Sequence, residues 1–179
     1  MFFNTEWLST AATLRLREVS TRISEQFLSD CFFPLITASA PVSLRTLEWL
    51  VVNYSKVHRV APNGLVCLHD CYQKTLRAYK RPLFDPFQRK QRIVFCREGA
   101  DRSTAMETTV AQIAFLLWAY ENGAFQYAVE HRVAIENHRA KTQRENKLKR
   151  TKGYKRQALT TARHGGASML KQTSVFVDE

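Results

Sequence analysis

The sequence predicts a mainly α-helical α+β domain: a helical core with one small β-sheet and a basic C-terminal extension. Three observations carry this prediction. Apolar residues recur near helical spacing over most of the first 138 positions. Short alternating runs, the mark of strands, occur only near 91–97 and 172–177. Cations crowd the chain after residue 138. At 179 residues and 45% hydrophobic content, the chain is long enough to bury a core without staples. The expected division is a core domain over 1–138 and a basic extension over 139–179 that ends in a short strand. Every Phe, Trp and Tyr except Tyr154 and Phe176 precedes residue 130, so the core-building side chains belong to the first of these.

The elements follow in order. Asn4 or Thr5 is positioned to cap a first helix of about six turns. Its apolar stripe is Trp7, Leu8, Ala11, Leu14, Val19, Ile23 and Phe27, with Arg15, Arg17, Glu18, Arg22 and Glu25 opposite. Cys31–Ala40 reads as an apolar connector around Pro34. Pro41 and Ser43 open a second helix striped by Leu44, Leu47, Leu50, Val51, Tyr54 and Val57. Ala61-Pro62-Asn63-Gly64 signals a turn. A third helix runs from about Leu65 to Tyr79 and ends near Arg81, because Pro82 disfavours helical geometry in the residue before it. Gln91–Arg97 alternates as a strand, with Ile93 and Phe95 on one face. Glu98–Met106 reads as a polar loop. Thr109 and Gln112 form a capping-box pair ahead of Val110–Asn122, a helix apolar nearly all round and therefore central. Gly123 ends it. From Ala124 a last helix turns Phe125, Ala128, Val129 and Val133 inward, loses its apolar stripe after Ile135, and keeps helix formers through Arg150.

The net charge is +11 and it is segregated. Residues 139–163 hold ten cations against the single acid Glu145, and residues 71–97 hold eight against Asp85. A surface built for solubility mixes both signs. Runs this one-sided point to a polyanion, or to an acidic docking surface on another protein. The side chains expected to make those contacts are Arg77, Lys80, Arg81, Arg89, Lys90 and Arg92 in the first run. In the second they are Lys141, Arg144, Lys147, Lys149, Arg150, Lys152, Lys155 and Arg156.

Other constellations weigh less. The second and third helices, joined by Val60–Gly64, have helix–turn–helix spacing. A recognition helix reads bases from its N-terminal end, and here that end is apolar: Leu65, Val66, Cys67 and Leu68. Cys67-x-His69-x-Cys71 places two thiols on one helix turn, but a structural zinc site needs further ligands from Cys96, Cys31 or His58. Buried reduced cysteine is the commoner role, and no metal or cofactor is expected. His131 and His138 fall at i and i+7 on one helix face, and Glu130 and Glu136 are expected to pair with Arg132 and Arg139. No triad order, metalloprotease motif, phosphate-binding loop or paired-carboxylate motif appears, so no enzyme and no small-molecule substrate is expected. Met1-Phe2-Phe3 runs at once into Asn4, Thr5 and Glu6, so neither leader nor transmembrane segment is expected, and the four cysteines are expected as thiols.

Two stretches carry a resemblance. One is Tyr79-Lys80-Arg81-Pro82-Leu83-Phe84-Asp85-Pro86-Phe87-Gln88-Arg89-Lys90-Gln91-Arg92-Ile93. The other is Thr108-Thr109-Val110-Ala111-Gln112 followed by Trp118-Ala119-Tyr120-Glu121-Asn122-Gly123. With the basic stretch before the terminal strand, they resemble small basic proteins of nucleocytoplasmic large DNA viruses, of the iridovirus and mimivirus-like groups, over roughly 44–177. The chain departs from that pattern at Gln88, where a Cys is usual, and at Ala111, where a Gly is usual, so no role is carried over to either. The resemblance implies a viral protein, and the expectation is a non-enzymatic minor capsid or virion component. Its partners would be other virion proteins or nucleic acid, its place the particle, and the host cytoplasm or nucleus during assembly. The alternative expectation is a viral factor that condenses or regulates DNA.

Overall fold

Val110 to Ala119 form the centre of the molecule, every residue but Gln112 buried. The computed structural model describes residues 2–3, 5–64, 66–96 and 105–151. Among the described residues the fold is α+β and mainly helical, with one three-stranded antiparallel sheet. The helices are α1 (Thr10–Ser20), α2 (Glu25–Phe27), α3 (Phe33–Ile36), α4 (Leu44–Trp49), α5 (Ser55–His58), α6 (Leu68–Tyr79), α7 (Val110–Glu121), α8 (Ala124–Glu130) and α9 (Arg132–Thr151). The strands are β1 (Phe2–Phe3), β2 (Arg92–Phe95) and β3 (Met106–Thr109). Two π-helical turns, Leu28–Phe32 and Leu50–Tyr54, join α2 to α3 and α4 to α5. No helix among the described residues is long and apolar enough to cross a membrane.

The central helix α7 begins where Thr109 Oγ1 accepts the Gln112 N–H at 3.1 Å. Gln112 does not reach back to complete the box; its Oε1 accepts the Thr108 hydroxyl at 2.9 Å instead. Gly123, at φ 71, separates α7 from α8. Phe84 is fully buried against Tyr72, Phe115 and Trp118, with ring centroids 5.6 to 5.9 Å away. A second aromatic group joins Phe27, Phe32, Phe33 and Phe95 beneath the sheet.

The structure corrects several expectations. The single long first helix is broken. Ser9 caps α1, and Thr21–Ser24 interrupts it before Ser24 caps α2. The buried face of α1 is Ala12, Arg15, Leu16 and Val19, so Trp7 and Leu14 are 83% and 60% exposed. The connector around Pro34 is helical to Ile36, with Pro34 tolerated in the first turn of α3. The extra residue wound into the Leu50–Tyr54 turn swings Val57 outward, to 64% exposure. Val133 is likewise exposed, just past the break in helical dihedrals at His131, where φ is -109 and ψ 20. Met106, read as loop, opens β3. β2 pairs with β1 and with β3, Ile93 facing Thr108 and Phe95 facing Met106. The strand expected over 172–177 lies outside the described residues. By contact the chain divides into Met1–Lys141 and Thr142–Glu179.

Candidate functional site

The first cationic run is presented by a succession of tight turns. α6 ends at Tyr79, and Lys80 takes φ 62 ahead of the 3-10 turn Arg81–Leu83. Phe84 then plunges into the core, and the Asp85 carboxylate accepts the Phe87 N–H at 2.9 Å. The Gln88 side-chain carbonyl folds back onto the N–H groups of Arg89 and Lys90, at 3.0 and 3.1 Å. The backbone is thus pinned while its side chains stay outside: Arg77, Lys80, Arg81, Arg89 and Lys90 are all exposed. Arg77 also lies in the last turn of α6, where a cation complements the helix dipole. None of these five has an ion-pair partner among the described residues.

Arg92 differs. It stands opposite Thr109 in the ladder, and its guanidinium reaches diagonally to Glu107 at 2.5 Å. Both side chains are 57% exposed, so the pair adds little stability. Its effect is to hold Arg92 over a cleft of about 310 Å³ that Arg89, Thr108, Thr109 and Gln112 also line. Of the side chains expected to meet a polyanion, Arg89 and Arg92 line this cleft together.

The second run starts on α9. Lys141 is exposed at the end of the first compact unit; Arg144, Lys147 and Lys149 are exposed in the second. At 3.6 residues per turn these cations spread around the helix rather than forming one stripe. Arg150 belongs to the same helix. Lys152, Lys155 and Arg156 lie outside the described residues.

The structure adds residues that the charge pattern did not single out. Phe87 is 43% exposed and lines both the 310 Å³ cleft and a neighbouring one of about 560 Å³, as does Leu44. Arg45 sits with its guanidinium carbon 5.8 Å from the Phe87 ring centre. The signal for Phe87 was available, since it is an aromatic between Pro86 and a cationic triplet interrupted only by Gln88 and Gln91. Arg45, on a different helix, carried no such signal. Near the same loop, Glu48 is half-buried; burial, with Asp85 adding to it, raises its carboxyl above the ordinary value against the pull of Arg45, Arg139 and Arg81.

The remaining constellations separate. Cys67 is the residue before α6 and donates to the Ser55 carbonyl at 3.3 Å; Cys71 faces Asn122 Oδ1 at 3.5 Å. Cys31, Cys67 and Cys71 are free thiols, and no three His, Cys, Asp or Glu side chains gather into a metal-binding group among the described residues. Burial pushes the Cys31 thiol up to about 12, which leaves it a poor nucleophile. The start of α6 is closed to a nucleic-acid groove, because Cys67 and Leu68 are buried. His131 and His138 do not share a helix face. His131 ends α8 and lies against Tyr127, whereas His138 meets Trp49, Tyr54 and His58. Glu136 pairs with Arg132 at 3.3 Å, and Glu130 accepts from Gln126 at 2.8 Å.

Residues 21–166 match the family described as "Family of unknown function (DUF7197)". The "Uncharacterized protein L507" of Acanthamoeba polyphaga mimivirus is 29% identical over 125 residues, 65% of this chain and 48% of the relative. The chain therefore spans about half the length of that viral protein. No solved structure matches.

Proposed function

This chain belongs to the DUF7197 family of unknown function, with a relative in a large DNA virus, and we propose that it is a non-enzymatic, polyanion-binding viral protein. One observation carries the reading. Arg77, Lys80, Arg81, Arg89 and Lys90 in one compact unit, and Arg144, Lys147 and Lys149 in the other, are exposed and make no ion pair among the described residues, Arg81 being drawn only at longer range toward Glu48. Unneutralised cations on a pinned backbone favour phosphates, whose condensed counterions they release. The setting proposed is the particle, with the protein as a minor virion component whose cationic segments hold the genome. It would pass through host cytoplasm or nucleus during assembly.

The test is salt-dependent. Duplex DNA affinity should fall steeply between low and physiological salt. Converting Lys147, Lys149, Arg150, Lys155 and Arg156 to Gln should flatten that slope by roughly 0.9 for each phosphate no longer neutralised. Unchanged affinity in the variant removes the extension from the interface. Preference for an acidic protein over DNA turns the reading toward capsid docking. Mass spectrometry of purified virions tests the location.

A further inference from the structure

Phe87 stands as a ridge between two clefts, and this arrangement has chemistry beyond bulk charge. Its ring is 43% exposed, yet its backbone is fixed: Pro86 before it is buried, and the Asp85 carboxylate holds its N–H. The next turn is fixed by Gln88, whose side chain holds Arg89 and Lys90. An exposed aromatic usually costs solvation and gains nothing; one held rigidly among cations is pre-organised for a flat partner.

The charges on either side follow one pattern. The 310 Å³ cleft contains Arg89, Arg92 and Glu107, and Glu107 is taken up by Arg92. The 560 Å³ cleft contains Arg45, Arg132 and Glu136, and Glu136 is taken up by Arg132. Beyond its internal pair, each cleft is lined by one further cation: Arg89 on one side and, on the other, Arg45, which is also drawn toward the Glu48 carboxylate. Arg45 already lies 5.8 Å from the ring centre. Thr108, Thr109 and Gln112 line the first cleft as well.

We infer that Phe87 is a base-stacking platform for single-stranded nucleic acid, with Arg45 and Arg89 neutralising the phosphates on its two sides. This rests on the polyanion reading and specifies its ligand. A duplex keeps its bases stacked inside and offers only phosphates, so it has no use for the ring. A single strand offers both a flat base and flanking phosphates at the spacing of consecutive nucleotides. An acidic peptide satisfies the arginines but leaves the ring without a flat partner.

Fluorescence anisotropy on the full chain tests this with four probes: a labelled oligothymidylate of about 15 nucleotides, a single-stranded RNA of equal length, a duplex and polyglutamate. Phe87→Ala should weaken single-strand binding about 5- to 150-fold. It should leave duplex affinity and the salt slope unchanged. Phe87→Trp should retain or strengthen single-strand binding, which separates stacking from any folding defect, and melting curves of both variants should match the parent. Arg45→Gln with Arg89→Gln should lower the single-strand salt slope by about 0.7 for each cation removed. If Phe87→Ala binds single strands like the parent while the arginine variant does not, the stacking inference falls and the polyanion reading stands. If Phe87→Ala weakens polyglutamate as much as oligothymidylate, the ridge takes acidic peptide and the inference falls. If the parent binds none of the four, both fall.

Discussion

The indole Nε1–H of Trp49 donates to Nδ1 of His138 at 3.1 Å, across 89 positions of sequence. Tyr54 stacks on His58 with ring centres 4.1 Å apart, and His138 meets both edge-on. These rings fasten the first turns of α9 to the α4–α5 helix. Because Nδ1 is the acceptor, the neutral His138 ring carries its proton on Nε2. Trp49→Phe keeps a ring in place and withdraws the donor. The expected cost is about 1 kcal/mol in urea denaturation, with imidazole ¹⁵N shifts reporting a new tautomer mixture for His138. An unaltered tautomer would show that the bond does not govern the ring.

Two carboxylates should respond to pH in opposite senses. Burial pushes Glu18 up, but hydrogen bonds from Arg15 and Tyr79 and the charges of Arg15 and Arg22 outweigh it, and its pKa is lowered. Its contribution is present above the unfolded carboxylate pKa and is lost as pH falls through the lower folded one. Glu48 is raised by burial first and by Asp85 second. Its penalty is present at neutral pH and disappears as pH falls through the raised folded value toward the unfolded one. At pH 7, Glu18→Gln should therefore lower the melting temperature and Glu48→Gln should raise it. Both sites are partly solvated, so each effect should be no more than about 1 kcal/mol. Melting curves taken down to pH 3 should show both differences shrinking; differences that persist would assign them to packing.

Phe84 and Phe87 are three residues apart and should behave as opposites. Phe84 has no exposed surface and touches Tyr72, Phe115 and Trp118. Phe84→Ala should cost about 3–5 kcal/mol and change Trp118 fluorescence. Phe87→Ala should cost little. Equal losses by chemical denaturation would mean that the loop, not the anchor, sets stability here.

Gly123 sits at φ 71, and a Cβ there would lie 3.1 Å from both Asn63 Oδ1 and Pro62 Cβ. Gly123→Ala meets backbone strain and steric contact together. The expected loss is at least about 1–2 kcal/mol. A variant as stable as the parent would show that the Pro62–Asn63 turn can move aside.

Local signals made α7 legible: an all-round apolar run is bounded by a Thr cap at its start and a Gly just past its end, each acting on the residues next to it. The β2 alternation was legible for the same reason, and Ile93 and Phe95 are indeed buried. What escaped was non-local. Met106-Glu107-Thr108-Thr109 is polar enough to read as loop, and becomes a strand because β2 offers it a ladder. The break at Thr21–Ser24 was hidden because Val19, Ile23 and Phe27 continue a helical spacing through it, although Ser24 is itself a cap. The cationic runs were visible as composition. That Arg92 is paired while Arg89 is not depends on a diagonal across two strands, and the Arg45–Phe87 approach depends on packing between distant segments.

The five-residue turn Leu50–Tyr54 makes this helix one residue longer than its endpoints require. A shorter version lacking Val51, Val52 or Asn53 would wind regularly. Because the bulge absorbs the extra residue, the shorter helix would keep its two ends in phase and still bring the Tyr54 and His58 side chains to His138. Across relatives, a single-residue gap in this stretch is therefore loss of the bulge and not a change of attachment for α9.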